Sequence, residues 1–339
     1  MTAGVLGIAL IGSGRMGSFH GETVSRRLAG TRLVAVADPA PGAAGTLAAA
    51  LHADRSYTDA AQVWADPAVD AVVIAAPAWF HAGLVVAAAE AGKSVFCEKP
   101  MALSLADADR AIDAVRAAGV VLQVGFNRRF APDWQAARVL LDTGRIGTPR
   151  LLRSLTRDPG GFDPARVAPG TIFLETLIHD FDTLRFLNPG AEAVEVYAVA
   201  DALVEPDWRD RGLLDTAVVT VRFDNGAVGT AEACFEAAYG YDVRAEVFGP
   251  GGMATMGDGR RTTMTFSGPP GRITETVRSD QELFTGAYTA ELAAFADAVR
   301  AGTSPPVTGE DARAALAIAL TAAESAASGN PVRIEEVAK

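Results

Sequence analysis

The sequence predicts an α/β protein with two domains: an N-terminal, doubly wound parallel sheet, and a C-terminal α+β domain with a large, mostly antiparallel sheet. Through the first third of the chain, short β-branched runs alternate with Ala-rich helical segments, which is typical of a parallel sheet. After Phe126 this alternation stops, and two helical segments and a series of strands follow. We place the boundary between residues 123 and 124, so that the domains cover 1–123 and 124–339.

The N-terminal domain contains five short runs rich in Val, Ile, Leu and Ala, which we predict to be parallel strands. One of the intervening helices is marked at both ends, since Ser104 with Asp107 is an N-terminal capping pattern and Gly119 stops the segment. The strand, helix, strand order is therefore consistent along this domain. The predicted strands are Val5–Ile11, Leu33–Ala37, Val69–Ala76, Ser94–Cys97 and Val120–Val124.

The C-terminal domain is predicted to place its strands between two pairs of helices. Two alternating segments, Thr216–Phe223 and Ala227–Phe235, flank Asp224-Asn225-Gly226, and Asn-Gly supplies the positive φ of a tight hairpin turn. We therefore predict that these two segments pair as antiparallel strands. The breaker Ser304-Pro305-Pro306 separates the last two helices. The predicted helices are Asp133–Thr143, Glu175–Phe186, Phe284–Ala301 and Gly309–Ser328.

Composition excludes several classes of protein. With 339 residues, 49% of them hydrophobic, the chain can fill the cores of about two domains. A formal net charge of -11 repels phosphate and anionic lipid, so we expect neither nucleic acid nor a membrane as a partner. Cys97 and Cys234 form no CxxC or disulfide pattern, which favours the reducing cytoplasm. No stretch approaches the roughly 18 apolar residues of a membrane span.

A dinucleotide site is predicted at the first strand-to-helix turn. Gly12, Gly14 and Gly17 lie there, where backbone N–H groups and the helix dipole can hold a pyrophosphate. Asp38, at the end of the second strand, can accept hydrogen bonds from the ribose hydroxyls and repel a 2′-phosphate. We therefore predict an NAD-binding Rossmann domain, with a purely structural glycine turn as the alternative. NAD is favoured over NADP, although Arg15 can touch phosphate in either case.

A lysine follows the fourth predicted strand in a chain that otherwise uses arginine. Only Lys93, Lys99 and Lys339 occur among the 30 basic residues. An ammonium beside a cofactor can polarise a hydroxyl and stabilise a developing alkoxide, whereas a guanidinium cannot lose its proton. Lys99 is therefore a candidate catalytic residue, and a surface lysine on a turn is the alternative.

His179 is the candidate general base. Glu175 and Asp182 lie four residues before it and three after it, so the three share one face of a helix, and a carboxylate behind an imidazole raises its basicity. A helix-surface ion pair or a metal site are the alternatives; we expect no metal, because no second histidine or cysteine lies near. We interpret His20 and His52 as ordinary surface or packing residues. His81, after Pro77, is a possible contact to the cofactor.

Four segments together resemble the Gfo/Idh/MocA family of oxidoreductases over nearly the whole chain. They are Gly12-Ser13-Gly14-Arg15-Met16-Gly17, Ala37-Asp38-Pro39, Glu98-Lys99-Pro100 and His179-Asp180-Phe181-Asp182. Within the family, three further segments are most similar to the inositol 2-dehydrogenases: Val124-Gly125-Phe126-Asn127-Arg128-Arg129-Phe130, Thr156-Arg157-Asp158-Pro159 and Tyr239-Gly240-Tyr241-Asp242.

The resemblance implies NAD-dependent oxidation of a secondary hydroxyl of a cyclitol such as myo-inositol, or of a sugar, with the substrate in a cleft between the domains. It implies that Lys99 orients the hydroxyl and that His179 accepts the proton, with the residue four before it hydrogen-bonded to both. It also implies a homodimer or homotetramer through the C-terminal sheet. The implied substrate contacts are Lys99, Arg128, Asp158, Glu175, His179 and Tyr241, and the implied cofactor contacts are Gly12, Gly14, Arg15, Met16, Gly17, Asp38, Pro77, His81, Glu98 and Lys99.

Two residues depart from the family pattern, since Glu175 stands where an aspartate is expected and Asp158 where an asparagine is expected. The added carboxylate suits an amino-cyclitol or amino-sugar, whose ammonium it can pair. Two other classes of protein stay open: an NAD-dependent glycoside hydrolase, in which no NADH accumulates, and a nucleotide-binding sensor without catalysis. Lys99 and His179 argue against the sensor.

Overall fold

The structure is a computed structural model that describes residues 4–161, 165, 167–269 and 271–334. The chain divides into two compact units, one of Met1–Asn127 with Gly286–Ala314 and one of Arg128–Thr285 with Ala315–Lys339. The boundary at residues 123 and 124, between an NAD-binding domain and a substrate-binding domain, stays a prediction. The helix predicted at Phe284–Ala301 belongs by its contacts mainly to the first unit, because Leu292 and Phe295 lie in the same buried core as Phe96.

The first unit is a six-stranded parallel sheet in the order β3-β2-β1-β4-β5-β6, which confirms the predicted doubly wound fold. All five predicted strands are present, and the sequence missed only the short β3, whose Arg-Ser-Tyr sequence has no apolar run. The strands are β1 Leu6–Ile11, β2 Thr31–Ala37, β3 Arg55–Tyr57, β4 Ala71–Ile74, β5 Ser94–Glu98 and β6 Leu122–Gly125. Because parallel strands end at one edge, Gly12, Asp38 and Lys99 all follow carboxyl ends of this sheet.

Five helices follow strands of this first sheet: α1 Arg15–Arg26, α2 Ala43–Leu51, α3 Ala60–Trp64, α4 His81–Glu90 and α5 Leu105–Ala118. The predicted ends of α5 are confirmed. The Ser104 hydroxyl accepts a hydrogen bond from the Asp107 backbone N–H at 3.1 Å, and Gly119 ends the helix at φ 65°. Both groups satisfy backbone atoms that a helix terminus leaves unpaired.

The second unit contains a seven-stranded sheet in the order β12-β11-β7-β10-β9-β8-β15, with a separate two-stranded ribbon, β13-β14. Neighbours are antiparallel except β7 and β10, so the sheet is mostly antiparallel as predicted. The strands are β7 Leu151–Arg157, β8 Ala193–Asp201, β9 Thr216–Phe223, β10 Val228–Cys234, β11 Asp242–Gly249, β12 Gly252–Met256, β13 Arg260–Gly268, β14 Gly271–Thr276 and β15 Val332–Arg333. The predicted hairpin joins β9 and β10, and Gly226 has the expected positive φ of 86°.

The remaining helices are α6 Pro132–Asp142, α7 Ile178–Phe186, α8 Asp280–Ala301 and α9 Gly309–Ser328. The helix predicted over Glu175–Phe186 is only partly regular, because a π-helical turn, Ile172–Thr176, precedes α7. Its Leu177 N–H donates to the Ile172 carbonyl, five residues back, at 2.8 Å. Such turns are frequent at functional sites. In the part of the chain that the structure describes, no helix is long and apolar enough to span a membrane.

Candidate active site

Gly17 and Gly14, in the loop after β1, have different surroundings. A Cβ on Gly17 would lie 2.0 Å from the Gly12 carbonyl oxygen, so this glycine lets α1 pack against the loop. A Cβ on Gly14 would meet no described atom within 4 Å, and Gly14 caps α1 without a side-chain hydrogen bond. There is therefore open space beside Gly14 at the start of α1, as a bound pyrophosphate requires. These residues fit a dinucleotide.

Asp38 lies at the end of β2 and is tied to the glycine loop. One carboxylate oxygen accepts hydrogen bonds from the Ser13 backbone N–H at 2.8 Å and the Ser13 hydroxyl at 2.7 Å. The other accepts from the Ala40 N–H at 2.8 Å. Burial alone would raise the pKa of Asp38, but these hydrogen bonds lower it below its ordinary value. The group is therefore a fixed carboxylate, which can still accept from ribose hydroxyls and opposes a 2′-phosphate.

Lys99 follows β5 and is half-buried, and its peptide bond to Pro100 is cis. His81 connects this segment to the loop after β4. Its ring nitrogens lie 2.8 Å from the Pro100 carbonyl oxygen and 2.7 Å from the Ala76 carbonyl oxygen. A carbonyl oxygen can only accept, so each of these contacts is a hydrogen bond when the ring nitrogen concerned carries a proton. Since His81 is buried, its side chain fastens two loops of the cofactor edge, and its direct contact with cofactor stays a prediction. Pro77 begins the short 3₁₀ turn Ala78–Phe80 just before it.

Of the two alternatives predicted for His20, the surface residue is wrong; His20 packs in the interior, and it also has a carboxylate partner that the sequence did not indicate. His20 is fully buried on α1, and its Nε2 lies 2.6 Å from Oε1 of Glu98. The partner is 78 residues away in the sequence, so no local sequence pattern predicts the pair. His52 is exposed at the end of α2, as expected. Glu98, predicted as a cofactor contact, is itself buried.

In the second unit, two buried arginine–aspartate pairs hold α7 in place. Arg128 donates to Asp180 at 2.7 Å and to the Thr156 hydroxyl at 2.6 Å. Arg129 binds both oxygens of Asp182, with distances of 2.6 and 2.9 Å. Paired charges are the usual way to accommodate such groups in a protein interior. Asp182, which the sequence suggested as a partner of His179, is thus an anchor of α7 through Arg129.

His179 directly precedes the first of these two anchored aspartates and is half-buried, whereas Glu175 is exposed on the preceding π-helical turn. Asp180 receives hydrogen bonds from Ser154 at 2.5 Å and Thr156 at 2.7 Å in addition to that from Arg128. The backbone that carries His179 is consequently fixed to β7 immediately after the histidine. A rigid backbone with a partly accessible imidazole suits a general base.

In the second unit, the charges of Arg128 and Asp158 both act on Tyr241. Burial raises the pKa of Tyr241, the charge of Asp158 raises it further, and the charge of Arg128 opposes both. Tyr241 therefore remains a phenol that can donate a hydrogen bond. Arg128 is 2% exposed with two of its nitrogens bound to protein, so the guanidinium acts first as a structural group. Its contact with substrate stays a prediction.

Comparisons with known proteins match both units. Residues 6–126 match the model of an oxidoreductase family, Gfo/Idh/MocA, with an NAD-binding Rossmann fold. Residues 134–255 match the model of the Gfo/Idh/MocA C-terminal domain.

Individual relatives are similar over almost the whole chain. The scyllo-inositol 2-dehydrogenase (NAD(+)) of Bacillus subtilis is 37% identical, with 96% of either chain covered. The myo-inositol 2-dehydrogenase of Thermotoga maritima is 38% identical, with 97% of this chain and 99% of the relative covered. Among solved structures, scyllo-inositol dehydrogenase from Lactobacillus casei with bound NAD(H) and scyllo-inositol has a TM-score of 0.93 at 26% identity. That comparison covers 98% of this chain and 99% of the other.

Proposed function

The chain belongs to the Gfo/Idh/MocA family of NAD-binding oxidoreductases, and on that basis we propose that it oxidises a secondary hydroxyl of a myo-inositol-like cyclitol to the ketone. It is an enzyme of the inositol dehydrogenase type that uses NAD. The observation that carries the substrate class is the similarity, over nearly the full length, to dehydrogenases of myo- and scyllo-inositol.

The first unit would hold the cofactor. The N–H groups at Gly14, Arg15 and Met16 suit the pyrophosphate, and Asp38 suits the adenosine ribose. NAD, when bound, accepts a hydride at the nicotinamide ring. Lys99 follows the strand end on the same edge of the sheet as these groups. The proposal that Lys99 is near the reacting hydroxyl is supported by that placement and by its ammonium chemistry.

Proton removal is assigned to His179. The hydroxyl proton passes to its imidazole while the hydride leaves the same carbinol carbon, so the alcohol loses two electrons and two hydrogens in all. Lys99 would stabilise the developing alkoxide, and Glu175, one turn before His179, would hold the imidazole and a substrate hydroxyl. The anchoring of α7 through Asp180 and Asp182 supports this, because a positioned base contributes more to rate than a mobile one.

A second substrate class is an amino-cyclitol or amino-sugar. Asp158, Asp280 and Asp180 contribute negative potential at Tyr241, which Arg128 opposes, and the contribution of Asp158 is the largest of the four. An ammonium group on the substrate would complement the charge of Asp158. Asp158 and Tyr241 would then contact the substrate directly, with Arg128 supporting them from the interior.

The test is NADH formation by the purified protein with NAD or NADP at mildly alkaline pH. Myo-inositol, scyllo-inositol, glucose, xylose and an aminocyclitol are supplied separately. We expect NADH with an inositol and NAD, and weaker turnover with NADP. Preference for the aminocyclitol would support the second substrate class. Tight NAD binding with no NADH from any of these substrates would reject the proposal, and turnover of a glycoside without net NADH would identify a hydrolase.

We also propose that the chain forms a homodimer or homotetramer through the seven-stranded sheet. Large apolar side chains are exposed on one face of that sheet, which we call the outer sheet face: Leu151, Tyr197, Val199, Val218, Phe248 and Met253. Exposed apolar side chains grouped on one face, with polar residues around them, are typical of association sites in soluble proteins. The cytoplasmic location suggested by the cysteines stays a prediction.

A further inference from the structure

Three buried ionisable side chains meet in the first unit, and the proposed proton transfer uses none of them. They are His20 of α1, Glu98 at the end of β5 and Glu291 of α8, and we call them the buried triad. One nitrogen or oxygen of each lies within 4.8 Å of those of the other two. Burying three such groups is costly unless they compensate one another, so their grouping calls for a physical account.

The surroundings of the buried triad are apolar and closely fitted. The rings of Phe96 and Tyr288 stand edge-on to His20, with centroids 5.5 and 5.8 Å away. A Cβ on Gly125, in the neighbouring strand β6, would lie 3.3 Å from Oε2 of Glu98 and 3.2 Å from Phe96. The glycine therefore leaves the space that the Glu98 carboxylate fills.

The charge state follows from the contacts. Burial alone would raise the pKa of Glu98, but the hydrogen bond and charge of His20, and then the charges of Lys99 and His81, lower it below its ordinary value. Burial raises the pKa of Glu291 well above its ordinary value, and the charge of Glu98 raises it further. Burial and Glu98 also raise the pKa of the Cys97 thiol. Two carboxyl groups this close cannot both ionise easily, so Glu98 is the anion and Glu291 the neutral acid.

Glu98 is joined to the candidate catalytic lysine. Its Oε2 accepts a hydrogen bond from the Lys99 backbone N–H at 3.2 Å, while its Oε1 is held by His20 at 2.6 Å. Among the described residues, neither carboxylate oxygen of Glu291 has a hydrogen-bond partner, whereas both oxygens of Glu98 have one. The anion thus links α1 to the strand end that carries Lys99.

We propose that His20 and Glu98 are positioning residues for Lys99, fixing the strand end that carries it and keeping a carboxylate charge beside its ammonium. The inference rests on the proposed function, in which Lys99 assists removal of the hydroxyl proton. Without His20, the buried Glu98 carboxylate loses its strongest partner and takes up a proton. Lys99 then loses both an anchor and a neighbouring charge.

The matched variants His20→Phe and His20→Gln test the inference. Phenylalanine keeps the aromatic packing against Phe96 and Tyr288 but cannot donate, whereas glutamine keeps a donor at the position of Nε2. We expect kcat to fall about 100-fold in His20→Phe, to recover in part in His20→Gln, and the KM for NAD to stay nearly constant. A packing role predicts the reverse order of the two kcat values, which would overturn the inference. His52→Gln, at an exposed histidine of the same unit, is the control.

A second variant covers the case in which His20→Phe does not fold. The double variant His20→Phe with Glu98→Gln replaces the carboxyl group that has lost its partner by an amide, which is uncharged without having to take up a proton, so it should fold more stably than His20→Phe alone. Its kcat should remain as low as that of the single variant, because the carboxylate beside Lys99 is still missing. Recovery of kcat in the double variant would contradict the positioning role of Glu98.

An infrared titration of the carboxyl groups gives a readout that needs no substrate. At neutral pH, we expect a protonated carboxyl band that disappears in Glu291→Gln and persists in Glu98→Gln; the opposite assignment overturns the inference. In His20→Gln, the protonation midpoint of Glu98 should move upward by about one pH unit or more, and an unchanged midpoint would contradict the role of His20.

Elemental analysis that found a stoichiometric metal, lost in His20→Phe, would make the buried triad a metal site instead. If the parent oxidises no polyol, the proposed function fails while this titration still decides the state of the pair.

Discussion

Lys99 is the residue on which the proposed chemistry depends most directly. If its ammonium stabilises the alkoxide, Lys99→Met should lower kcat for the polyol by about 10²- to 10⁴-fold. NAD binding should survive, because the glycine loop and Asp38 are untouched. Stopped-flow or steady-state NADH formation, combined with a fluorescence titration of NAD, separates the two effects.

Lys99→Arg is the companion variant, because it keeps the positive charge but not the shape or the exchangeable proton of lysine. We expect it to remain far below the parent in kcat. Parent-like turnover in Lys99→Met would show that the lysine is only a surface group on a strand end, which was the alternative interpretation of its sequence position.

A substitution at Asp38 tests whether this residue selects NAD over NADP. In Asp38→Asn, an amide oxygen can still accept from Ser13, but the charge that opposes a 2′-phosphate is gone. The preference for NAD over NADP, measured as the ratio of kcat/KM values, should fall about tenfold, which is about 1.4 kcal/mol. Because the pKa of Asp38 lies below its ordinary value of 3.8, the parent preference should not change as pH is raised from 6 to 9. An unchanged ratio in the variant would mean that other groups select the cofactor.

Sequence patterns predicted single residues well where the signal is local and poorly where a partner is distant. Gly12 and Asp38 follow the ends of β1 and β2 as predicted, and their contacts with NAD stay predictions. The pairing of His20 could not be predicted, because its partner Glu98 lies 78 residues away in the sequence. Asp182 shares a helix with His179, but Arg129, on another segment, engages its carboxylate. Helical spacing shows which residues can face one way, not which of them already has a partner.

At the scale of elements, the glycine loop gives a matched pair of variants. Gly17→Ala places a Cβ against the Gly12 carbonyl, so we expect the protein to be destabilised, with a lower midpoint of thermal unfolding. Gly14→Ala meets no described atom, so stability should be retained while NAD binds more weakly, because the added methyl lies where the pyrophosphate would approach. Thermal unfolding and NAD titration of both variants make the comparison. Equal NAD affinity in Gly14→Ala and parent would exclude this loop as the pyrophosphate site.

The predicted elements differ from the observed ones where long-range packing decides. The β9–β10 hairpin and the ends of α5 are set by neighbouring residues, and both were predictable. The π-helical turn before α7 was not, since one extra residue per turn leaves no mark in an apolar pattern. The early part of α8 has a non-helical residue at Phe284, yet the sequence gives no reason why its later apolar residues join the core of the first unit. These residues join that core because the apolar surface of Phe295 and Leu292 is buried there.

For the whole molecule, the outer sheet face is the feature that a single chain leaves unexplained. Leu151, Phe248 and Met253 lie in register on three adjacent strands, and Val199 and Val218 lie in register on two others. Val199 is 59% and Met253 57% exposed. Charged residues on the same face are paired with one another, Arg153 with Glu232 and Arg222 with Glu195. Exposed apolar side chains with polar residues around them mark association sites, so we interpret this face as the surface of self-association.

The double variant Val199→Lys with Phe248→Lys tests that interpretation. The two positions are exposed and lie on strands far apart in the sheet order, so the lysines should cost little in the single chain. In a symmetric assembly each substitution is repeated in every copy, and buried like charges oppose contact. The mass from light scattering should therefore fall to that of one chain, with NAD binding retained. Val139→Lys, at an exposed apolar residue of α6, is the control and should leave the mass unchanged. If the double variant keeps the parent's mass, or if the parent is already a single chain, the outer sheet face has another role.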